Sequence, residues 1–132
     1  MSTVTFARSI LRLLLLINCI AAGAAAVVLV VAPGAIPAIV GISITPSANL
    51  LAYLLAAAEL AIACLCVLAI RSGQRETDLQ AVTVLVVFHV TSAAAGLMVV
   101  WSGESALVLW NVVARAVIVV ALTWSARVAL AR

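Results

Sequence analysis

Apolar residues fill four long stretches of this chain, separated by short segments that contain polar residues, prolines or glycines. Each stretch holds about 20 residues, the length at which a helix crosses the hydrocarbon core of a bilayer. The first stretch stops at Pro33-Gly34, while Thr45-Pro46 and the capping-box pattern Thr77-Asp78-Leu79-Gln80 favour the starts of the second and third helices. The pattern predicts an all-α fold, with residues 1–132 forming one antiparallel up-down bundle of four transmembrane helices at about 10–32, 47–70, 78–101 and 105–125.

The composition supports an integral membrane protein and argues against a soluble domain. Of the 132 residues, 68% are hydrophobic and only 8% are charged. A soluble domain of this size could not bury so much apolar surface. A signal peptide cleaved near Ala22-Gly23-Ala24 is the weaker interpretation of the first helix, because the apolar run continues beyond that site.

The positive charges predict how the helices are oriented. All seven basic residues are arginines, and six lie near the N-terminus, between the second and third helices, or near the C-terminus: Arg8, Arg12, Arg71, Arg75, Arg127 and Arg132. The other two connections contain no arginine, which is a positive-inside pattern. It predicts a multi-pass protein of the inner (plasma) membrane with both termini cytoplasmic. Arginines scattered in this way indicate the lipid bilayer as a partner and argue against nucleic acid.

One acidic residue lies in the middle of the second apolar stretch. Glu59 is the single acidic or basic residue in the 21-residue run LLAYLLAAAELAIACLCVLAI, which begins at Leu50. A carboxylate at that depth is costly to insert, and it is expected to face protein or a water-filled cavity. Glu59 therefore needs partners from the other predicted helices.

The other predicted helices each carry polar residues at a similar depth. At a rise of about 1.5 Å per residue, Glu59 and Arg115 each lie about 18 Å from the cytoplasmic boundary, and His89 lies about 15 Å inside it. Asn18 is a little shallower. Small residues flank these positions, as they do where membrane helices pack closely. We therefore predict that the polar groups meet inside the bundle and that Glu59 approaches Arg115, directly or through one water.

These residues define a candidate site. Glu59, His89 and Arg115 are the candidate catalytic residues, because a Glu/His pair covers the proton-transfer range near neutral pH and an arginine can anchor negative charge. The candidate ligand-binding residues add amide, hydroxyl and aromatic groups: Asn18, Tyr53, Ser92, Trp110 and Asn111. The alternative is structural: a buried Glu59–Arg115 pair can fix helix register without any further function.

Cysteine and histidine counts give little support for a metal or a disulfide. Cys19, Cys64 and Cys66 all lie within apolar stretches, and an odd number argues against a disulfide framework. The two thiols of Cys64-x-Cys66 point to different faces of a helix. With a single histidine in the chain, we predict no metal site and no cofactor.

Three features together resemble a known group of proteins. They are an arginine-flanked first helix ending near proline (Arg8 to Pro33), a central glutamate among small residues (Tyr53 to Glu59), and a short turn bearing Arg71 and Arg75. This layout resembles small bacterial four-helix membrane proteins of the DoxX-like group over residues of about 8–125, although alanines stand here where that group has glycine-rich stretches. The resemblance implies a four-helix bundle, accessory to redox or small-molecule metabolism, and supplies no reaction.

Three classes of function follow from these expectations. The first is a mid-membrane polar pocket that binds a small apolar or lipid-like molecule and, if the protein is an enzyme, transforms it by isomerase- or hydrolase-like acid/base chemistry. The second is a structural or accessory subunit of a larger membrane complex. The third is a small proton-coupled transporter that acts as a homodimer. A cavity around Glu59 and His89 is expected for the first class and not for the second.

Overall fold

The computed structural model describes residues 3–130, and within them the secondary structure is helical. The four helices long and apolar enough to cross a membrane are α1 (Thr3–Val31), α3 (Asn49–Ser72), α4 (Arg75–Trp101) and α5 (Val108–Ala129), in a chain whose second helix, α2 (Ala35–Ile39), is short. A 3-10 turn (Pro46–Ala48) leads directly into α3. The predicted all-α fold and the four membrane-spanning helices are confirmed, whereas α2 was not predicted.

The helices extend beyond the apolar stretches from which they were predicted. α1 begins at Thr3 instead of near residue 10, and α5 continues to Ala129. Hydropathy marks the part of a helix that suits lipid, but the backbone hydrogen bonds can continue through polar residues on either side. Arg132, which contributes to the predicted orientation, lies outside the described residues.

The predicted capping box at Thr77–Gln80 is wrong. α4 begins at Arg75, and its N-cap, Gln74, is extended and makes no side-chain capping hydrogen bond. Asp78 lies in the first turn of α4 and binds Arg12 of α1 instead. The prediction failed because α4 begins two residues before Thr77, so the N–H of Asp78 already donates to the carbonyl of Gln74 within the first turn.

A tight turn joins α3 to α4. Gly73, which follows the last residue of α3, has φ of 65°, and its N–H donates to the carbonyl of Ala69. This left-handed conformation suits glycine because the residue has no Cβ to clash with the following backbone. Only Gly73 and Gln74 separate the two helices, so the start of α4 lies beside the end of α3.

We call the end of the bundle that contains this turn the arginine end, because arginine side chains join the helices there. Nη1 of Arg12 donates to the carbonyl oxygens of Ala69 (2.9 Å) and Ile70 (3.1 Å), in the last turn of α3. Nη2 of Arg12 contacts Oδ2 of Asp78 at 3.1 Å. Arg12 therefore donates to the carbonyl end of α3, where the helix dipole favours a cation, and it connects α1, α3 and α4.

The main hydrophobic core lies toward the arginine end. Its largest fully buried side chains are leucines together with one cysteine: Leu11, Leu15, Leu85, Leu122 and Cys66. A smaller cluster of Leu29, Ala52 and Ala56 lies near the opposite end, with Ile36 of α2 packed against it. The two clusters leave the middle of the bundle to residues with polar side chains.

The long helices pack as two pairs. α3 packs along α1, α4 packs along α5, and α1 also contacts α5, whereas α3 and α4 make few contacts with each other. Within the α4–α5 pair the approach is close at Gly96, where an added Cβ would lie 2.9 Å from Cγ2 of Val112 and 3.1 Å from Cγ1 of Val108. Glycine at this position therefore lets the two helices approach one another.

Candidate functional site

Four polar side chains form a hydrogen-bonded row across three of the long helices. Nδ2 of Asn18 donates to the carbonyl of Leu14 (2.8 Å), and Oδ1 of Asn18 lies 2.8 Å from Nε2 of His89. The other ring nitrogen of His89, Nδ1, is 3.2 Å from Nη1 of Arg115. Nε of Arg115 donates to Oδ1 of Asn111 at 2.7 Å. The row thus connects α1, α4 and α5 through side chains alone.

This row defines the state of His89. A guanidinium can only donate, so Nδ1 of His89 must be the acceptor of its bond with Arg115. Nε2 then carries the proton and donates it to the amide oxygen of Asn18. The imidazole is therefore neutral, with one nitrogen donating and the other accepting.

An aromatic residue supports the row from one side. The Phe88 ring meets the His89 ring edge to face, with centroids 5.5 Å apart and an interplanar angle of 68°. Cζ of Arg115 lies 5.3 Å from the centroid of the Phe88 ring, within range of a cation–π interaction. Phe88 therefore helps to hold both Arg115 and His89. This role of Phe88 was not predicted, and only the position of Phe88 beside His89 in the sequence could have suggested it.

A cavity of about 460 Å³ lies against this row. Residues of all five helices line it, and six of them are candidate site residues: Asn18, Glu59, His89, Ser92, Asn111 and Arg115. The remaining wall consists mainly of apolar side chains, including Leu55 and Ile118. The cavity is far larger than one water molecule, which occupies about 30 Å³ in the liquid. It falls within the usual size range of small-molecule sites.

Glu59 faces this cavity without a direct partner. Within residues 3–130 the one ion pair between side chains joins Arg12 and Asp78, so Glu59 and Arg115 share the cavity but do not form a direct ion pair. Glu59 is half-buried and makes no hydrogen bond to any other described residue. Nη2 of Arg115 is likewise free of hydrogen bonds to the described part of the chain. A carboxyl group and guanidinium N–H groups are therefore available toward the cavity.

Two of the predicted ligand-binding residues lie elsewhere. Tyr53 is 45% exposed and lines a separate groove between α1 and α3. Trp110 is 81% exposed and lines another groove, beside Val40. Ser92 and Asn111, in contrast, do line the cavity. Of these four residues only Ser92 and Asn111 line the cavity, and Asn111 is exposed and also lines the groove beside Val40.

The cavity is closed toward the arginine end by apolar side chains. Leu15, Leu85, Leu122 and Cys66 are fully buried, and each lies on the arginine side of the candidate polar residue in its own helix. We call these four residues the leucine plug. It separates the polar row from the Arg12–Asp78 pair, so no polar path through the described side chains joins the two.

The opposite end of the cavity is covered by α2. Ile36 of α2 lines the cavity, and Leu29 of α1 lies beside it. The segment after α2 is attached to the connection before α5, since Oγ of Ser105 donates to the carbonyl of Val40 at 2.5 Å. Apolar side chains thus close the cavity along the bundle axis in both directions.

The cysteines do not belong to the site. All three are free: Cys66 is buried, Cys64 is exposed and Cys19 is half-buried. Among residues 3–130 there is no group of three or more His, Cys, Asp or Glu side chains arranged to hold a metal ion. The polar side chains that line the cavity are those of Glu59, Ser92 and the hydrogen-bonded row.

Comparisons with protein-family models, with curated proteins and with solved structures found no match.

Proposed function

We propose that this protein binds a small lipid-like molecule in a polar pocket at mid-depth in the membrane. The observation that carries the proposal is the cavity at the polar row, in which the carboxyl group of Glu59 has no direct partner. If Glu59 only fixed helix packing, its carboxylate would be expected to form a direct ion pair with an arginine, with no cavity between them. An unpaired carboxyl beside an apolar-walled cavity is typical of a group that meets a ligand.

The unpaired polar groups of Glu59 and Arg115 suggest which polar groups the ligand carries. Arg115 has an unused nitrogen, Nη2, that requires an acceptor, and Glu59 can accept from a hydroxyl or N–H group. Opposite charges across the cavity favour a neutral head group over an ionic one, because an added net charge would be costly to desolvate. The proposed ligand is therefore an amphiphile with a hydroxyl or amide head and an apolar body.

The membrane arrangement belongs to the same proposal. The four spans would run antiparallel, with both termini and the arginine end in the cytoplasm of a cell whose inner (plasma) membrane holds the protein. Supporting this, the described arginines outside the cavity lie at the arginine end, and the α1–α3 and α4–α5 connections contain none. An accessory role in redox or small-molecule metabolism, as the DoxX-like resemblance implies, is compatible with a binding site of this kind.

Photolabelling of the protein in nanodiscs tests the binding proposal. The probe is dodecanol with a diazirine next to the hydroxyl group, and mass spectrometry identifies the labelled residues. We expect saturable labelling of cavity residues that unlabelled dodecanol displaces and that Glu59→Gln greatly weakens. Glu104→Gln is the matched control, because Glu104 is exposed and lies outside the cavity. Non-saturable labelling spread over lipid-facing residues would contradict the proposal.

A further inference from the structure

The polar cavity is open on one side of the bundle, between α3 and α4. These two helices meet at a short turn and make few other contacts, and α3 has no close contacts with α5 within the described residues. All the buried residues of α4 lie between Asp78 and His89, and none lies in the half that ends at Trp101. α3 and α4 therefore approach each other near their turn at the arginine end and diverge beyond the polar row.

Residues on both sides of this opening line the cavity and are also exposed. Leu55 of α3 is 43% exposed, and Ala95 of α4 is exposed as well. Exposure of a lining residue does not by itself locate the opening, because Ala21 of α1 and Ala114 of α5 are exposed as well. α1 packs against α5, however, whereas α3 and α4 make few contacts, so the rim of the opening lies between α3 and α4. Because the leucine plug and α2 close the axial directions, the rim between α3 and α4 faces the lipid and not either aqueous phase.

We infer that the ligand enters sideways from the bilayer, between Leu55 of α3 and Ala95 of α4, in the half of the membrane away from the arginine end. The head group reaches Arg115 and Glu59, and the apolar tail lies in the opening. The inference rests on the proposed binding function and adds the route and the orientation of the ligand. It also limits the ligand to a slender, single-chain amphiphile, because the cavity of about 460 Å³ is small for two lipid chains.

A reversible bridge across the opening tests this route. Leu55→Cys and Ala95→Cys are introduced after Cys19, Cys64 and Cys66 have been replaced by Ala, and the protein is studied as a full chain in nanodiscs. Bifunctional methanethiosulfonate linkers of graded length join the two thiols, and a reducing agent releases them. The control pair is Val27→Cys with Leu60→Cys, two exposed residues of α1 and α3 that line the separate groove and not the cavity.

The bridge is formed either before or after the probe is added, and the two orders are expected to give different results. Bridging before the diazirine dodecanol is added should abolish cavity labelling, and bridging afterwards should trap the probe against washing. Reduction should restore both entry and release, and the control bridge between residues 27 and 60 should change neither. Unchanged entry through the bridged 55–95 protein overturns the route, as does a block by the control bridge alone. Failure of every linker length to join residues 55 and 95 also contradicts it.

The same experiment separates this inference from the function on which it rests. If the reduced protein shows no saturable labelling of cavity residues, the binding proposal fails and the route fails with it. If the reduced protein labels normally and the 55–95 bridge has no effect, binding stands and only the lateral route is wrong.

Discussion

Nη1 of Arg115 donates a hydrogen bond to Nδ1 of His89 across 3.2 Å, and this contact joins α5 to α4 inside the bundle. It also determines the protonation of the single histidine in the chain. Since the guanidinium can only donate, the imidazole accepts at Nδ1 and keeps its proton on Nε2. His89 is thus oriented by Arg115 on one side and by Asn18 on the other.

The state of His89 can be observed directly. Because there is one histidine, protein labelled with ¹⁵N-histidine gives one pair of imidazole nitrogen signals. We expect the chemical shifts of a neutral ring protonated at Nε2. In Arg115→Gln the tautomer preference should weaken, because a glutamine cannot supply the same charged donor. An imidazolium, or a ring protonated at Nδ1, would be inconsistent with the hydrogen-bonded row.

Removing the amide of Asn18 should destabilise the bundle. Asn18→Ala leaves the buried Nε2–H of His89 without an acceptor, which is expected to cost about 1–3 kcal/mol. The free energy of unfolding can be measured by steric trapping in bicelles. Thr91→Ala is the control, since Thr91 is exposed and bonds only within its own helix, and it should change stability little. If the two substitutions changed the free energy of unfolding equally, the Asn18–His89 hydrogen bond would not contribute to stability.

The sequence predicted the helices well and the polar contacts only in part. Hydropathy located all four spans, and Pro33-Gly34 marked the end of α1 correctly. Depth along each helix follows from the helical rise, which is why Asn18, His89 and Arg115 were found at similar levels. Rotation about the helix axis depends on packing between helices, so the sequence could not separate Tyr53, which faces away from the cavity, from Ser92, which lines it.

The partners of the charged residues were the least predictable feature. Arg115 was expected to approach Glu59 directly or through one water. The two residues line one cavity without a direct ion pair, and the hydrogen bonds of Arg115 go to His89 and Asn111. Arg12 was interpreted only as a topology signal, and its contacts with Asp78 and the end of α3 were not predicted. An arginine side chain is long and has five N–H donors. Several residues at one depth could therefore be its partner, and the sequence does not decide between them.

The Arg12 contacts should contribute strongly to stability. Arg12→Gln removes the ion pair with Asp78 and two bonds to helix carbonyls, and it leaves the Asp78 carboxylate buried. We expect the free energy of unfolding to fall by about 3 kcal/mol. This is near the lower end of the range for breaking a buried ion pair, because the Arg12 side chain is 29% exposed. Arg8→Gln, one turn earlier and exposed, should cost less than about 1 kcal/mol. Comparable losses for both variants in steric trapping would contradict the specific role of Arg12.

The close approach of α4 and α5 should make Gly96 sensitive to a single methyl group. Gly96→Ala would bring a Cβ within 2.9 Å of Cγ2 of Val112, so the helices must separate or the valines must move. Overpacking of this kind typically costs about 1–3 kcal/mol. Gly23→Ala provides a matched helix position, because its Cβ would lie 4.0 Å from that of Ala63 in ordinary contact. A Gly96→Ala protein as stable as Gly23→Ala would mean that the two helices lie further apart.

The central claim is that polar side chains of separate spans meet inside the bundle, and a distance between His89 and Arg115 tests it most directly. Rotational-echo double-resonance NMR on protein in lipid, with ¹⁵N-histidine and ¹³Cζ-arginine, reports only arginines close to the single imidazole. We expect strong dephasing of one arginine signal out of seven, and its loss in Arg115→Gln. Absence of dephasing in the native protein, or a dephased signal that persists in Arg115→Gln, would contradict the account.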